Sequence, residues 1–191
     1  MAQVRPMRAD ARRNYERLLK VAVEAFAEHG EGASLDDIAK RAGVGSGTLY
    51  RHFPTRHALL EAAYLDRVEA IAARADELAA ALAPGEALME WLYELGAGMI
   101  RIRGLRALLG PAVTQSGSTV ATACGDSVRS AAARLVRAAQ QEGTLRRDVE
   151  PIDVLRLAHG VSTAAEQADE EGGDIRWYLT LLTEGLRPQG E

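Results

Sequence analysis

An all-α fold is what this sequence predicts, and three observations predict it. Ala and Leu dominate an apolar share of 47%, while aromatics reach only 5%, a mixture that favours helices over strands. Apolar residues recur at intervals of three and four through most of the 191 residues. Ser, Thr, Asp, Gly and Pro interrupt those runs where helices start and stop. The expected count is about nine helices and no convincing strand.

The first helix spans about Arg8–His29, with Leu18, Ala22, Ala25 and Phe26 on one face and Gly30 as its stop. Ser34 places a hydroxyl before Leu35-Asp36-Asp37-Ile38-Ala39, where it caps a second helix with Asp37 in the first turn. Gly43 ends that helix, and Val44-Gly45-Ser46 leads into a third over about Ser46–His52. Pro54 ends the third helix because its ring disfavours helical geometry at Phe53, and Thr55 caps a fourth from Arg56. The fourth carries Leu60, Tyr64, Val68, Ile71, Ala75, Leu78 and Leu82 on one stripe and is roughly 40 Å long.

Beyond Pro84-Gly85, Leu88, Leu92, Leu95, Met99 and Ile102 mark a fifth helix, interrupted at Gly104 and again at Gly110-Pro111, with a short helix between those breaks. Ser116-Gly117-Ser118 reads as a loop, after which Val120, Cys124, Val128, Leu135 and Ala139 mark a helix ending near Gly143. Pro151 opens the next, with Val154, Ala158, Val161 and Ala165 on one face. Glu170-Glu171-Gly172-Gly173 is a loop, Asp174 caps the last helix and Gly185 closes it.

Charge divides the chain unevenly. Residues 1–57 hold ten Lys or Arg against seven Asp or Glu, and residues 58–191 hold thirteen against twenty, within a total of −4. The basic end is where a nucleic-acid partner would bind, although an excess of three is also within the range of ordinary solvated faces. The expected division is 1–57 for an N-terminal helical domain and 58–191 for a second helical domain, with the long fourth helix bridging them without a flexible hinge. No apolar run approaches the length of a membrane span, and the basic start lacks the apolar core of a secretory signal. A single cysteine, Cys124, allows no internal disulfide. A cytoplasmic protein without a membrane segment is the expectation.

From helix two to helix three the spacing is that of a helix-turn-helix at about 34–53: Ile38, Ala39, Gly43, Val44 and Leu49. Ala39 permits close crossing, Gly43 supplies the positive φ of the turn, and Ile38, Val44 and Leu49 bury the inner faces. Ser46, Gly47, Thr48, Tyr50, Arg51 and His52 remain for the outside, and Gly45 and Gly47 admit close backbone approach. An ordinary helical hairpin with a solvated outer face has the same spacing.

The stretch LDDIAKRAGVGSGTLYRHFPTRHALLEAAY resembles the DNA-binding signature of the TetR, or tetracycline-repressor-like, family over about residues 10–65. The resemblance rests on the IA-x-x-AGV turn, the TLYRHF helix and the PTR-x-ALL start of helix four. It implies a DNA-binding transcriptional regulator, expected as a dimeric repressor released from a palindromic operator by a small-molecule effector. It also implies that helix three enters the major groove, with Ser46, Gly47 and Thr48 leading and Tyr50 and His52 on phosphate or base edges. Arg51 faces the groove or away from it. Thr55, Arg56 and Ser34 look like phosphate clamps at helix starts. Ser46 and Gly47 are shorter than the residues many relatives carry there, so direct base readout is expected to be sparse.

Trp91, Met99, Gln115, Cys124, His159 and Thr163 are candidates to line an effector cavity, each with plain packing as the alternative reading. Arg101, Arg103 and Arg106 form a cationic cluster, more simply a solvated face. Trp177 and Leu181 lie on one stripe of the last helix and Leu179, Leu182 and Leu186 on another, so one stripe faces the core and the other a partner subunit. Ala158, Val161, Ala165 and Ala168, with Trp177 and Leu181, are the expected homodimer interface, matching the four-helix interface of the resembled family. No nucleophile-elbow, phosphate-loop, paired-cysteine or His-x-x-x-His motif is present, so neither an enzyme nor a cofactor or metal is expected. The rival readings are a helical small-molecule-binding protein and a transcriptional activator.

Overall fold

The computed structural model describes residues 5–114, 123–168 and 174–188. Among them lie nine α-helices: α1 (Arg5–His29), α2 (Leu35–Arg41), α3 (Ser46–His52), α4 (Arg56–Ala81), α5 (Pro84–Arg101), α6 (Arg103–Thr114), α7 (Ala123–Glu142), α8 (Pro151–Gln167) and α9 (Ile175–Gly185). A single 3-10 turn at Gly30–Gly32 follows α1, with Gly30 at φ +55°. No strand occurs among the described residues, and the fold is all-α. Gln115, Ser116-Gly117-Ser118, Val120 and the Glu170–Gly173 loop lie outside the described residues.

The chain packs as two units. One comprises the residues up to Leu65 together with Arg103–Leu108; the other comprises 66–102 and the residues from Leu109 onward. Helix α4 therefore begins in the first and continues in the second, so the first unit reaches beyond residue 57.

In the first unit, Leu18, Ala22 and Phe26 of α1 are fully buried, with Ile38, Leu49, Leu59 and Leu105 beside them in the core. Tyr64 is 4% exposed, and a Cβ built on Gly104 would lie well inside 3.0 Å of its hydroxyl and two of its ring carbons. That glycine is required by close approach. The Tyr64 hydroxyl points at the Val23 carbonyl, 3.4 Å away, and Arg103 donates to the Glu28 carbonyl at 3.1 Å.

In the second unit α5 lies at the centre, touching α7, α8 and α9. Trp91, Leu92, Leu95 and Met99 face its core, and Trp91 Nε1 donates to the Ile71 carbonyl at 2.8 Å. A Cβ on Gly96 would stand 2.6 Å from both Ile175 Cδ1 and Ser162 Oγ, so glycine lets α8 and α9 close on α5. Arg176 fastens α9 to α5 through two hydrogen bonds to the Glu90 carboxylate, at 2.7 and 2.9 Å, while its guanidinium lies 3.9 Å over the Tyr93 ring.

Two expectations about helix limits need correction. Gly104 is not a break: the interruption falls at Ile102, whose φ of −123° and ψ of 94° are extended, and α6 starts at Arg103. Gly110-Pro111 does not end α6 either, since the helix runs to Thr114 with Pro111 inside it. A Cβ on Gly110 would meet His159 Cε1 at 3.3 Å, so this glycine also serves packing. Leu82, assigned to the buried stripe of α4, is 39% exposed because α4 ends at Ala81.

Candidate nucleic-acid interface

The candidate interface is built by the capping and turn chemistry around α2 and α3. Ser34, extended at φ −80° and ψ 124°, accepts from the Asp37 amide at 3.3 Å, which fixes the start of α2. At its other end Gly43 takes φ +68°, its amide donates to Lys40 at 3.1 Å, and the Val44 amide donates to Ala39 at 3.0 Å. These two bonds are the pair that closes a helix on a left-handed residue. Ile38 and Leu49 are fully buried, whereas Val44 is only half-buried, so the inner face rests mainly on the first two. Helix α3 begins after Gly45 without a side-chain cap; Phe53, extended at φ −133° and ψ 89°, ends it, and Thr55 caps α4 by accepting from the Ala58 amide at 3.0 Å.

Six of the expected contact residues stand together on α3. Gly47 is exposed with nothing within 4 Å of where a Cβ would be, leaving bare backbone at the surface. Tyr50 is 45% exposed. Ser46 donates to Asp36 Oδ1 at 2.7 Å, and Arg51 donates from Nε to the Gly47 carbonyl at 3.1 Å and from Nη2 to Thr48 Oγ1 at 3.2 Å. The Thr48 hydroxyl thus accepts from Arg51 and keeps its own proton to donate.

His52 turns toward α1, with its ring 5.9 Å from Tyr15 in an edge-on arrangement. Tyr15 also lies 5.2 Å from Phe53. This aromatic triad pins the end of α3, and Tyr15 was missed in the sequence because it sits outside the Leu18–Phe26 stripe. Arg56 is half-buried and donates from Nη1 to the Ala33 carbonyl, so part of its guanidinium holds the segment before α2. Ser34 and Thr55 are exposed, and each retains its hydroxyl proton. At the end of α2, Arg41 bridges Glu24 and Glu28 of α1, both at 3.3 Å.

The effector candidates sit inside the second unit. Trp91 is fully buried and its only donor is taken by Ile71; Met99 is 3% and Cys124 1% exposed. His159 and Thr163 are half-buried on α8, with the Thr163 hydroxyl on the His159 carbonyl at 3.0 Å. Gln115 lies outside the described residues.

The two stripes of α9 separate as their phase requires: Leu179 is fully buried, while Trp177 is 56% and Leu181 47% exposed. On α8, however, Ala158 and Ala165 are 0% and 4% exposed. They share a face with Val154, Leu155 and Ser162 in the chain's own core and so offer nothing to a partner. Half-buried Val161 falls on the other face with Leu157, 43% exposed, which sequence reasoning missed, and half-buried Ala168 follows the helix end in extended geometry. The described residues contain no cluster of three potential metal ligands, and no described helix is long and apolar enough to cross a membrane.

Comparison with known proteins agrees with this architecture. Residues 18–63 match the family model of bacterial regulatory proteins of the tetR family, and residues 83–188 match the model of the SbtR-like transcriptional regulator C-terminal domain. A TetR transcriptional regulator from Streptomyces coelicolor is 35% identical, with 92% of this chain and 99% of that chain covered and a TM-score of 0.58. A TetR transcription regulatory protein from Mycobacterium vanbaalenii is also 35% identical, with 96% and 100% covered and a TM-score of 0.51. An HTH-type transcriptional regulator from Staphylococcus aureus is 50% identical over 48 residues, which are 25% of this chain and 26% of that relative. The match thus spans about a quarter of the curated relative's length. From the helix-turn-helix match at one end, the C-terminal model over more than half the chain, and the full-length structural relatives, the chain belongs to the TetR family of bacterial transcriptional regulators.

Proposed function

We propose that the protein is a dimeric, non-enzymatic DNA-binding repressor that leaves a palindromic operator when a small molecule binds its second unit. The observation that carries the DNA half is the exposed face of α3, where bare backbone at Gly47 stands beside Thr48 and Tyr50 on a helix fixed by the Gly43 turn. Thr48 and Tyr50 donate to base edges or phosphates, and His52 and Arg51 support them from the end of the helix. Ser34, Thr55 and Arg56 contribute at the helix starts, where backbone amides favour a phosphate. Acting on chromosomal DNA, the protein works in the cytoplasm.

The dimer uses the outward stripe of α8 and α9, Leu157, Val161, Trp177 and Leu181, together with Ala168 at the end of α8. Three large apolar side chains exposed on two neighbouring helices are what an isologous interface covers. Effector release requires only that ligand and DNA prefer different states, with a coupling of about 1–3 kcal/mol.

Fluorescence anisotropy on DNA flanking the protein's own gene tests the reading. The Thr48→Ala/Tyr50→Ala double variant abolishes binding while remaining a folded dimer, and wild-type affinity falls steeply with salt as counterions are released. Retained binding by the double variant overturns the assignment of α3. A reporter under the same DNA distinguishes repression from activation.

A further inference from the structure

We propose that a groove at the end of the second unit, formed by the start of α5, the end of α7 and one side of α9, binds an organic cation of drug-like size. Its volume is about 970 Å³, toward the upper end for small-molecule sites. Leu82, Met89 and Pro188 give it apolar walls, so an apolar body and a charged head are both accommodated.

The charge it presents is set by which side chains are already neutralised. Glu86, Glu90 and Glu142 face Arg176 and Arg187 across the groove. Arg176 is committed, since its two terminal nitrogens hold Glu90 at 2.7 and 2.9 Å and Tyr93 lies beneath it. Glu142 accepts from the Gly85 amide at 3.0 Å and the Thr144 hydroxyl at 3.1 Å. Those neutral donors orient the carboxylate without cancelling its charge, and the positive end of α5 offsets only part of it.

Glu86, in the first turn of α5, has no side-chain partner among the described residues. The charges left over are therefore two carboxylates against the guanidinium of Arg187, and a cation gains where an anion is opposed. Glycine makes this corner possible: a Cβ on Gly85 would stand 2.8 Å from Thr144 Oγ1 and 3.1 Å from its Cβ.

The groove deepens the regulator reading by giving its effector a chemistry, and the experiment reads site and function separately. The full chain, labelled with 13C-methyl methionine, is titrated with benzyltrimethylammonium, benzyl alcohol and benzoate. The Met89 signal moves with the cation while that of buried Met99 stays, and the cation binds about 10-fold more tightly than the other two probes. Glu86→Gln, an exposed change that leaves the fold intact, weakens the cation about 2–5-fold. No movement of Met89 up to about 10 mM, equal affinity for the three probes, or an unaltered affinity in Glu86→Gln each overturns the proposal. In parallel, operator anisotropy is followed with the same cation. Movement of Met89 without operator release removes the groove's role as effector site. A protein that binds the cation at Met89 but never binds operator removes the regulator reading and leaves the groove standing.

Discussion

Gly104→Ala adds one methyl group, and the structure fixes where that methyl goes. It lands well inside 3.0 Å of the Tyr64 hydroxyl and two ring carbons, in a site where Gly104 is buried and Tyr64 is 4% exposed. The ring is buried, so either it leaves its rotamer or α6 backs away from α4. Overpacking of this kind costs about 1–3 kcal/mol, and at about 2 kcal/mol the transition falls by roughly 4–8 °C in a chain of this length. Tyr64→Leu alone removes the offending atoms and leaves a cavity, for about 2 kcal/mol.

The double variant is the decisive member, because the new methyl then occupies vacated space and the two losses fall short of additive by about 1–2 kcal/mol. Urea denaturation of the four proteins measures the cycle. Additive losses, or a Gly104→Ala protein within about 0.5 kcal/mol of wild type, refute the contact as the reason for glycine at this position.

Further predictions concern capping, the turn, the interface and acid stability. Ser34→Ala removes the side-chain acceptor for the Asp37 amide and lowers stability by about 1 kcal/mol, read by the same denaturation. Gly43→Ala places a side chain at φ +68°, which costs about 1–2 kcal/mol and weakens operator binding by loosening the α2–α3 turn. Trp177→Glu, at a position 56% exposed, leaves the helix content unchanged in circular dichroism and shifts sedimentation from dimer to monomer; a persistent dimer removes α9 from the interface.

Hydrogen bonds from Arg176 hold the Glu90 carboxyl below its ordinary 4.5, against a smaller opposing effect of burial. A lowered value in the fold contributes stability above the unfolded value that is lost as pH falls through the folded one. The advantage of wild type over Arg176→Met is therefore present at neutral pH and shrinks below pH 4.5, as urea midpoints across that range show.

What the sequence made legible was the local chemistry of helix ends. Ser34, Gly43, Thr55 and Asp174 act over two to five residues, so their roles are written in the order of residues, and α3 comes out as Ser46–His52. Glycine was misread wherever its reason was tertiary. Gly104 and Gly110 look like punctuation in a one-dimensional pattern, yet each makes room for a side chain far away in sequence, Tyr64 or His159. The proposed interface on α8 was blurred for a similar reason: alanines are small enough to suit a core or a partner, and only packing assigns Ala158 and Ala165 to the core. On the candidate DNA face, Thr48 and Tyr50 were legible as polar side chains on a short helix, whereas Tyr15 depends on α1 meeting the end of α3.

The first unit is discontinuous: it takes in residues up to Leu65 and then Arg103–Leu108, with 37 residues of the other unit between them. During synthesis, Tyr64 and the Glu28 carbonyl leave the ribosome well before Gly104 and Arg103, the residues that cover them, have been made. At about 5–20 residues per second the N-terminal helices wait a few seconds with that flank open. A gene fragment ending at residue 65 makes this wait permanent, so the helix-turn-helix segment is a poor choice for transplantation as a free-standing module.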